Sequence, residues 1–257
     1  MAVRNVCHDG SMAWVLDLDG VMWLGDRPIP GSSAAVARLR AAGEDVVFVT
    51  NNSWSPVAEV EARLAAMGVD AAGLVLTSAM AAARRVEPGE QALVCGGPGI
   101  VEALVSSGAV VVDRPPADVV VVGLARDLTY EVLARATLAV RAGARLLATN
   151  DDATYPTPAG ELPGGGAILA AVVTATGAVP EVAGKPHAAM AELVRERTGD
   201  TVGMVVGDRP STDGALAARL GAPFGLVRSG VDESAVGARG VEAPDLAALV
   251  ERVLGGA

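Results

Sequence analysis

The sequence predicts an α/β protein organised on a parallel sheet, and three observations carry that prediction. Short continuous apolar runs, such as Val46-Val47-Phe48-Val49 and Val202-Gly203-Met204-Val205-Val206, read as strands buried on both faces. Stretches of helical length alternate with them, opened by Ser or Pro and closed by Gly. Polar clusters, Asp17/Asp19, Thr50/Asn51 and Asp208/Asp213, each follow an apolar run directly. Regular strand–helix alternation implies a parallel sheet with right-handed crossovers.

In chain order, Met1 to Met12 show no periodicity and read as a loose leader. Trp14-Val15-Leu16 forms a buried strand that ends on Asp17-Leu18-Asp19-Gly20. Side chains alternate along a strand, so Asp17 and Asp19 project to one side and Leu18 to the other. Met22 to Gly31 is too rich in Gly and Pro for a helix and reads as a hairpin-like excursion. Ser32 or Ser33 can cap a helix to Ala42, and Pro56 stands where a first helical residue would for a helix ending at Gly68. A strand at Leu74 to Ser78 and a helix at Ala79 to Val86 follow.

The middle of the chain repeats the alternation: strands at Ala92–Cys95, Ala109–Val112, Asp118–Val122 and Arg145–Ala148, helices at Ile100–Ser107 and Tyr130–Arg141. A polar, Pro-rich run from Asn150 to Gly166 and an apolar helix from Ala167 to Thr176 close this second α/β unit, which is of independent-domain size. The last part returns to the first style. Gly184-Lys185-Pro186 leads into a helix at His187–Thr198, then the strand ending in Gly207-Asp208-Arg209-Pro210-Ser211-Thr212-Asp213. A helix Gly214–Leu220, a strand Phe224–Val227 and a C-terminal helix to Leu254 complete the chain.

Composition narrows the partners. A chain of 257 residues with 51% hydrophobic content and a net charge of −10 is an ordered, acidic protein with a real core. Nucleic acid and anionic membranes need a basic face, so neither is expected as a partner. Cys7 and Cys95 have no paired spacing, which argues against a zinc site or a disulfide framework and fits a cytoplasmic location. No signal-peptide layout and no uninterrupted membrane-spanning stretch is visible.

Ligands of open parallel sheets bind beyond the carboxyl ends of the strands, so the polar clusters are expected to meet in one crevice with Lys185 on its rim. Three or more carboxylates without a His/Cys cluster suit a hard cation, Mg²⁺ above all. A hydroxyl, an amide and a lysine beside it suit a phosphate group. A carboxylate attacks phosphorus only if charge repulsion is neutralised, and a neighbouring acid can protonate the leaving oxygen. The combination gives phosphoryl transfer through an aspartyl-phosphate intermediate.

The four ordered segments Asp17-Leu18-Asp19-Gly20-Val21, Thr50-Asn51-Asn52-Ser53, Gly184-Lys185-Pro186 and Gly207 to Asp213 resemble the motifs of the haloacid dehalogenase (HAD) superfamily. The long insertion after the second motif resembles subfamily IIA, as do Gly25-Asp26-Arg27-Pro28-Ile29-Pro30-Gly31 and Thr149-Asn150-Asp151-Asp152-Ala153-Thr154-Tyr155-Pro156. That branch holds p-nitrophenyl phosphatase-, phosphoglycolate phosphatase- and glycerol-phosphate phosphatase-like enzymes. The resemblance implies a Rossmann-like three-layer core from residues 1–79 and 182–257, and an α/β cap from residues 80–181 that selects the substrate and could form a homodimer interface. It implies Asp17 as nucleophile and Asp19 as general acid/base. Thr50, Asn51 and Lys185 would hold the phosphoryl group, with Gly20 and Asn52 beside them. Mg²⁺ would be bound by Asp17, the Asp19 carbonyl and Asp208, with Asp213 in support directly or through water.

The expected activity is hydrolysis of a small phosphomonoester, with glycerol phosphate and 2-phosphoglycolate favoured. A phosphotransferase or mutase on the same core is the alternative, and a non-catalytic regulatory protein would need one of the four motifs to be broken. Other features read more plainly. Cys95-Gly96-Gly97-Pro98-Gly99 lacks the Gly-Lys-Ser/Thr ending of a phosphate loop and is a strand–helix turn. Gly164-Gly165-Gly166 reads as a hinge between cap and core, Trp14, Trp23 and Trp54 as packing residues, and His187 as a surface residue. Asn150 and Asp152 either face the substrate or tie down the cap loop. Arg228-Ser229-Gly230 departs from the Thr-Gly common in relatives at that point.

Overall fold

The computed structural model describes residues 12–157, 160–230 and 240–255. The leader read at Met1 to Met12 lies, but for Met12, outside them. The chain opens with β1 (Ala13–Asp17), an antiparallel hairpin of β2 (Trp23–Leu24) and β3 (Arg27–Pro28), then α1 (Ser32–Ala41), β4 (Asp45–Thr50), α2 (Val57–Ala66), β5 (Val75–Thr77) and α3 (Ser78–Ala83). There follow β6 (Gln91–Cys95), α4 (Pro98–Ser107), β7 (Val110–Val112), β8 (Val119–Val122), α5 (Tyr130–Arg141) and β9 (Arg145–Ala148). A second hairpin, β10 (Thr154–Thr157) and β11 (Gly160–Pro163), precedes α6 (Gly165–Thr176) and β12 (Glu181–Val182). Then come α7 (Ala188–Thr198), β13 (Val202–Gly207), a π-helical turn at Pro210–Gly214, α8 (Ala215–Leu220), β14 (Phe224–Val227), β15 (Gly240–Ala243) and α9 (Leu246–Gly255).

Two parallel sheets result, as the alternation predicts. The first has the order β15-β14-β13-β1-β4-β5 and the second β12-β9-β8-β6-β7. In the first, β1 is flanked by β4 on one side and β13 on the other, with Leu16 in register with both Phe48 and Val206. The chain leaves β1 in one direction and returns in the other, which opens a crevice at its carboxyl end. Both faces of β1 are covered, so the strand is apolar throughout until Asp17. Trp14, Leu16 and Phe48 pack with Leu39, Leu64 and Leu249 from α1, α2 and α9, while Val15, Val47 and Val49 pack with Met190, Leu193 and Leu216 from α7 and α8. This is a three-layer α/β arrangement. Phe48 is fully buried, and its truncation to Ala would cost about 3–5 kcal/mol.

The second sheet is covered by α5 and α6 on one face, through Val120, Val122, Ala136 and Val172. Its other face, with Val119, Val121 and Leu147, shares one apolar cluster with Ile100 and Leu104 of α4 and with α3 and α7. β12 pairs with β9, Val182 opposite Ala148, before the chain returns through Lys185 to the first sheet.

Several local expectations are corrected. Gly31, at φ 82°, is the N-cap of α1, a left-handed conformation that glycine alone adopts without strain, while Ser32 Oγ donates instead to the Ile29 carbonyl at 2.8 Å. Pro56 is the N-cap of α2, not its first residue, and the Val57 amide is satisfied by Glu102 at 2.8 Å. The Gly164–Gly166 run is closely packed. A Cβ on Gly164 or Gly166 would lie 2.4 or 2.3 Å from the carbonyls of Asp152 and Asp151, so these glycines let α6 press its first turn onto that loop. The hairpin β10–β11 and the edge strand β15 have no continuous apolar run to announce them. No described helix is long and apolar enough to cross a membrane.

Candidate active site

The carboxyl ends of β1, β4 and β13 meet in a cavity of about 420 Å³, walled on its far side by the loop and hairpin after β9. Asp17, Asp19, Thr50, Asn51, Asn52, Lys185 and Asp208 all line it, so residues from four separate segments converge as the motif spacing predicts. Asp17 ends β1 with its backbone held between β4 and β13, and its side chain is buried. Asp213 lies deeper and does not line the cavity, and neither does Gly20.

Lys185 is the centre of charge. Its ammonium donates to Asp17 Oδ1 at 2.6 Å and to Asp213 Oδ1 at 2.7 Å, with all three side chains buried. Burial alone would lower the Lys185 pKa, but the two carboxylates outweigh it and hold the ammonium charged well above its ordinary range. Burial pushes the Asp17 carboxyl upward; Lys185 opposes this, while Asp213, Asp208 and Asp19 add to it. The cluster is thus short of positive charge. Asp213 Oδ2 also accepts from the Arg209 amide at 3.2 Å, so this residue braces both the lysine and the turn after β13. The N-cap of α8 is Gly214.

The donor set fits a divalent cation. Asp17, Asp208 and Asp213 each offer a carboxylate oxygen within 4.8 Å of the others, all three residues are buried, and among the described residues no thiolate or imidazole joins them. Space is reserved around Asp208: a Cβ on Gly20 would lie 2.2 Å from its Oδ2, and one on Gly230 would lie 1.9 Å from it. Gly20 also sits at φ 85°. Its place here is to make room for Asp208, not to line the cavity. Ser229 Oγ donates to the Gly20 carbonyl at 2.6 Å, so the Arg228-Ser229-Gly230 variation still closes this corner. The Asp19 carboxylate stands apart from the trio. Its Oδ1 accepts from Trp23 Nε1 at 3.0 Å, and burial pushes its pKa up against the opposing effects of Trp23, Lys185, Arg63 and Arg209.

Directly after β4, Asn51 knits the site together. Asn51 accepts from the Lys185 amide at 2.8 Å, and its Nδ2 donates to the Lys185 carbonyl at 3.1 Å and to Asp152 Oδ2 at 3.0 Å. Asn150 Nδ2 donates to the Asn51 carbonyl at 2.8 Å, and Asn150 Oδ1 accepts from the Asp152 amide. Asn150 therefore ties down the loop, while Asp152 both joins that tie and lines the cavity. Burial raises the pKa of Asp152, opposed by its bond to Asn51. The Thr50 hydroxyl accepts from the Asn52 amide at 3.0 Å, and Asn52 Oδ1 from the Trp54 amide at 2.9 Å.

Other lining residues lie outside the four ordered motifs. Arg126, Thr154, Tyr155 and Thr157 come from the second unit, and Asp26 from the β2–β3 turn. Arg126 approaches the Trp54 ring at 5.5 Å. His187 lies at the surface, its Nε2 3.4 Å from Asp151, outside the cavity lining.

Comparison with known proteins assigns this arrangement to a family. The family described as haloacid dehalogenase-like hydrolase matches residues 14–110, and the one described as HAD-hydrolase-like matches 182–253. The chain belongs to the HAD-like hydrolases, in the branch resembling subfamily IIA. It is 41% identical over 179 residues to an acid sugar phosphatase of Staphylococcus saprophyticus, covering 68% of this chain and 69% of that one. It is 38% identical over 229 residues to the D-glycerol 3-phosphate phosphatase of Mycobacterium tuberculosis, covering 86% of this chain and 64%, under two thirds, of that one. A solved structure of the glycerol phosphate phosphatase of M. tuberculosis, in complex with magnesium, superimposes with a TM-score of 0.84 at 36% identity over 93% of this chain and 76% of that one. The p-nitrophenyl phosphatase of Archaeoglobus fulgidus superimposes with a TM-score of 0.87 at 30% identity, over 94% of this chain and 99% of that one.

Proposed function

We propose that this phosphoric monoester hydrolase removes phosphate from a small polyol phosphate, glycerol phosphate foremost, through an aspartyl-phosphate formed on Asp17. The observation that carries the reading is the buried Asp17–Lys185–Asp213 chain with Asp208 beside it, since a carboxylate so placed can meet a phosphate dianion only where cations surround it. Asp17, Asp208 and the Asp19 carbonyl would hold Mg²⁺, with Asp213 supporting. When bound, Mg²⁺ supplies neutralisation of the charge on the phosphoryl oxygens.

The residues of the chain divide the remaining work. Lys185 fixes the Asp17 carboxylate and offers its ammonium to a phosphoryl oxygen. Thr50, Asn51 and Asn52 offer hydroxyl and amide donors to the same group, and Asn51 keeps the Lys185 backbone in place. An Asp17 oxygen attacks phosphorus, the bond to the leaving oxygen breaks, and that oxygen takes a proton from Asp19. Asp19, now a carboxylate, accepts a proton from the water that attacks phosphorus, and Asp17 is released with inorganic phosphate. Burial, by raising the pKa of Asp19, favours the protonated form needed first.

Residues 80–181 act as the cap that covers the cavity and meets the leaving group. The cavity is lined by five carboxylates against three cations, Arg126, Lys185 and Arg209. A leaving group with its own carboxylate adds charge to a site already short of cations, which ranks glycerol phosphate above 2-phosphoglycolate. The free, buried Cys95 fits a reducing, cytoplasmic setting. The test is phosphate release across a phosphomonoester panel with Mg²⁺, with and without chelator, beside Asp17→Asn. Release from glycerol 3-phosphate that is lost in the variant and under chelation supports the reading; full activity in either condition contradicts it.

A further inference from the structure

We propose that Trp23 is a positioning residue for proton delivery, holding Asp19 so that its acidic proton resides on Oδ2 and faces the leaving oxygen. The inference rests on Asp19 being the general acid, and deepens that reading. Trp23 is 3% exposed, and its indole nitrogen donates to Asp19 Oδ1 at 3.0 Å. An indole N–H is a donor only, and the carbonyl oxygen of a protonated carboxyl is a better acceptor than its hydroxyl oxygen. With Oδ1 engaged in this way, the proton of neutral Asp19 is favoured on Oδ2. A hydroxyl donor such as Ser or Thr could not enforce this, because it accepts as readily as it donates.

Four further contacts make the arrangement rigid. The Gly20 amide donates to the Trp23 carbonyl at 2.7 Å and the Trp23 amide to the Leu18 carbonyl at 3.2 Å, so the backbone folds back over Asp19. The Arg63 guanidinium from α2 stacks on the Trp23 ring, 3.9 Å from its centroid. The same guanidinium donates to the Gly25 carbonyl, in the turn between β2 and β3. Arg63 thus pins both the ring and the hairpin to the first unit. A packing tryptophan alone would need neither the carboxylate nor the cation.

Leaving-group chemistry tests this, because an alkoxide such as that of glycerol needs a proton to depart and p-nitrophenolate does not. The measurement is kcat/KM, which reports the steps through leaving-group departure, for glycerol 3-phosphate and p-nitrophenyl phosphate with Mg²⁺. Trp23→Phe keeps an aromatic ring and removes the donor. It is expected to lose about 30- to 100-fold on glycerol 3-phosphate, at or below the low end of the roughly 100- to 10,000-fold that general acid catalysis contributes because Asp19 itself remains, and no more than about threefold on p-nitrophenyl phosphate. Arg63→Gln leaves Trp23 in the core and unpins it, so a smaller loss with the same selectivity is expected, which keeps the test available should Trp23→Phe fold poorly. Equal losses on both substrates in these variants, or none on either, would overturn the proposal. Asp19→Asn separates the two levels. A selective loss there with a uniform loss in Trp23→Phe overturns the role of Trp23 alone, whereas a uniform loss in Asp19→Asn overturns the acid assignment and the Trp23 proposal with it.

Discussion

Replacing Lys185 by Met removes the one ammonium that contacts Asp17 and Asp213 and leaves their carboxylates, with Asp208 close by, without its charge. Breaking a buried ion pair from one side costs about 3–5 kcal/mol. For a chain of this size that corresponds to a fall in Tm of roughly 6–20 °C, measured in EDTA. The loss should depend on pH. Burial already holds the Asp17 pKa above its unfolded value, and Lys185 is the influence that pulls it down, so the variant raises it further. A carboxyl whose folded pKa lies above the unfolded one contributes stability at pH below the unfolded value and loses it as pH climbs toward the folded value. The variant should therefore approach the parent near pH 4 and fall progressively below it as pH rises. Adding Asp213→Asn should restore part of the Tm at neutral pH, since one of the stranded charges disappears. Melting by circular dichroism across pH decides the matter. A Tm deficit that is constant across pH, or absent, would refute the view that Lys185 acts by charge compensation.

Other expectations concern metal, substrate and thiol. Mg²⁺ at about a hundred times its dissociation constant should stabilise the protein by about 2.7 kcal/mol, a rise in Tm of roughly 5–10 °C, and Asp208→Asn should abolish the rise. A rise that persists in that variant would place the cation elsewhere. Asp152→Asn should narrow the preference for glycerol 3-phosphate over 2-phosphoglycolate by about tenfold in kcat/KM, because a carboxylate that opposes the second anion is gone; an unchanged ratio would assign Asp152 to loop anchoring alone. Cys95 is fully buried and its pKa is pushed up to about 11, so at pH 8 about one molecule in a thousand carries the thiolate. Peptide mapping after alkylation at that pH should find Cys95 unmodified in the folded protein and modified in urea; rapid labelling without denaturant would contradict its burial.

Much of the fold was legible because both sheets are parallel and covered on both faces. That geometry writes β1, β4, β8 and β13 as uninterrupted apolar runs. The convergence of Asp17, Thr50 and Asp208 was legible for the same reason, since polar residues placed directly after such strands share the crevice, while Lys185 was legible from its turn at the start of a helix. Elements with one open side were not. β10 and β11 pair only with each other, and the edge strand β15 has Gly240-Val241-Glu242-Ala243 for its pattern, so neither shows an apolar run. Helix starts shifted by a residue where tertiary contacts supply the cap, as Glu102 does for the Val57 amide. Trp23 was unreadable as more than packing, because its ring is indeed buried and only the direction of one N–H sets it apart. Asp152 could not be decided from sequence because a single contact to Asn51, a hundred residues away, fixes where it points.

The central claim is that Asp17 itself carries the phosphoryl group during turnover. Asp19→Asn, which retains Asp17 and slows the water-dependent step, should be mixed with p-nitrophenyl phosphate, whose leaving group needs no proton, and Mg²⁺, then quenched in acid and digested. Peptide mass spectrometry should then find one phosphoryl group on the peptide containing Asp17, reducible by borohydride to homoserine at that position, and none when Asp17 is replaced by Asn. Turnover with no phosphorylated peptide under these conditions, or a phosphoryl group on any other residue, would contradict the account.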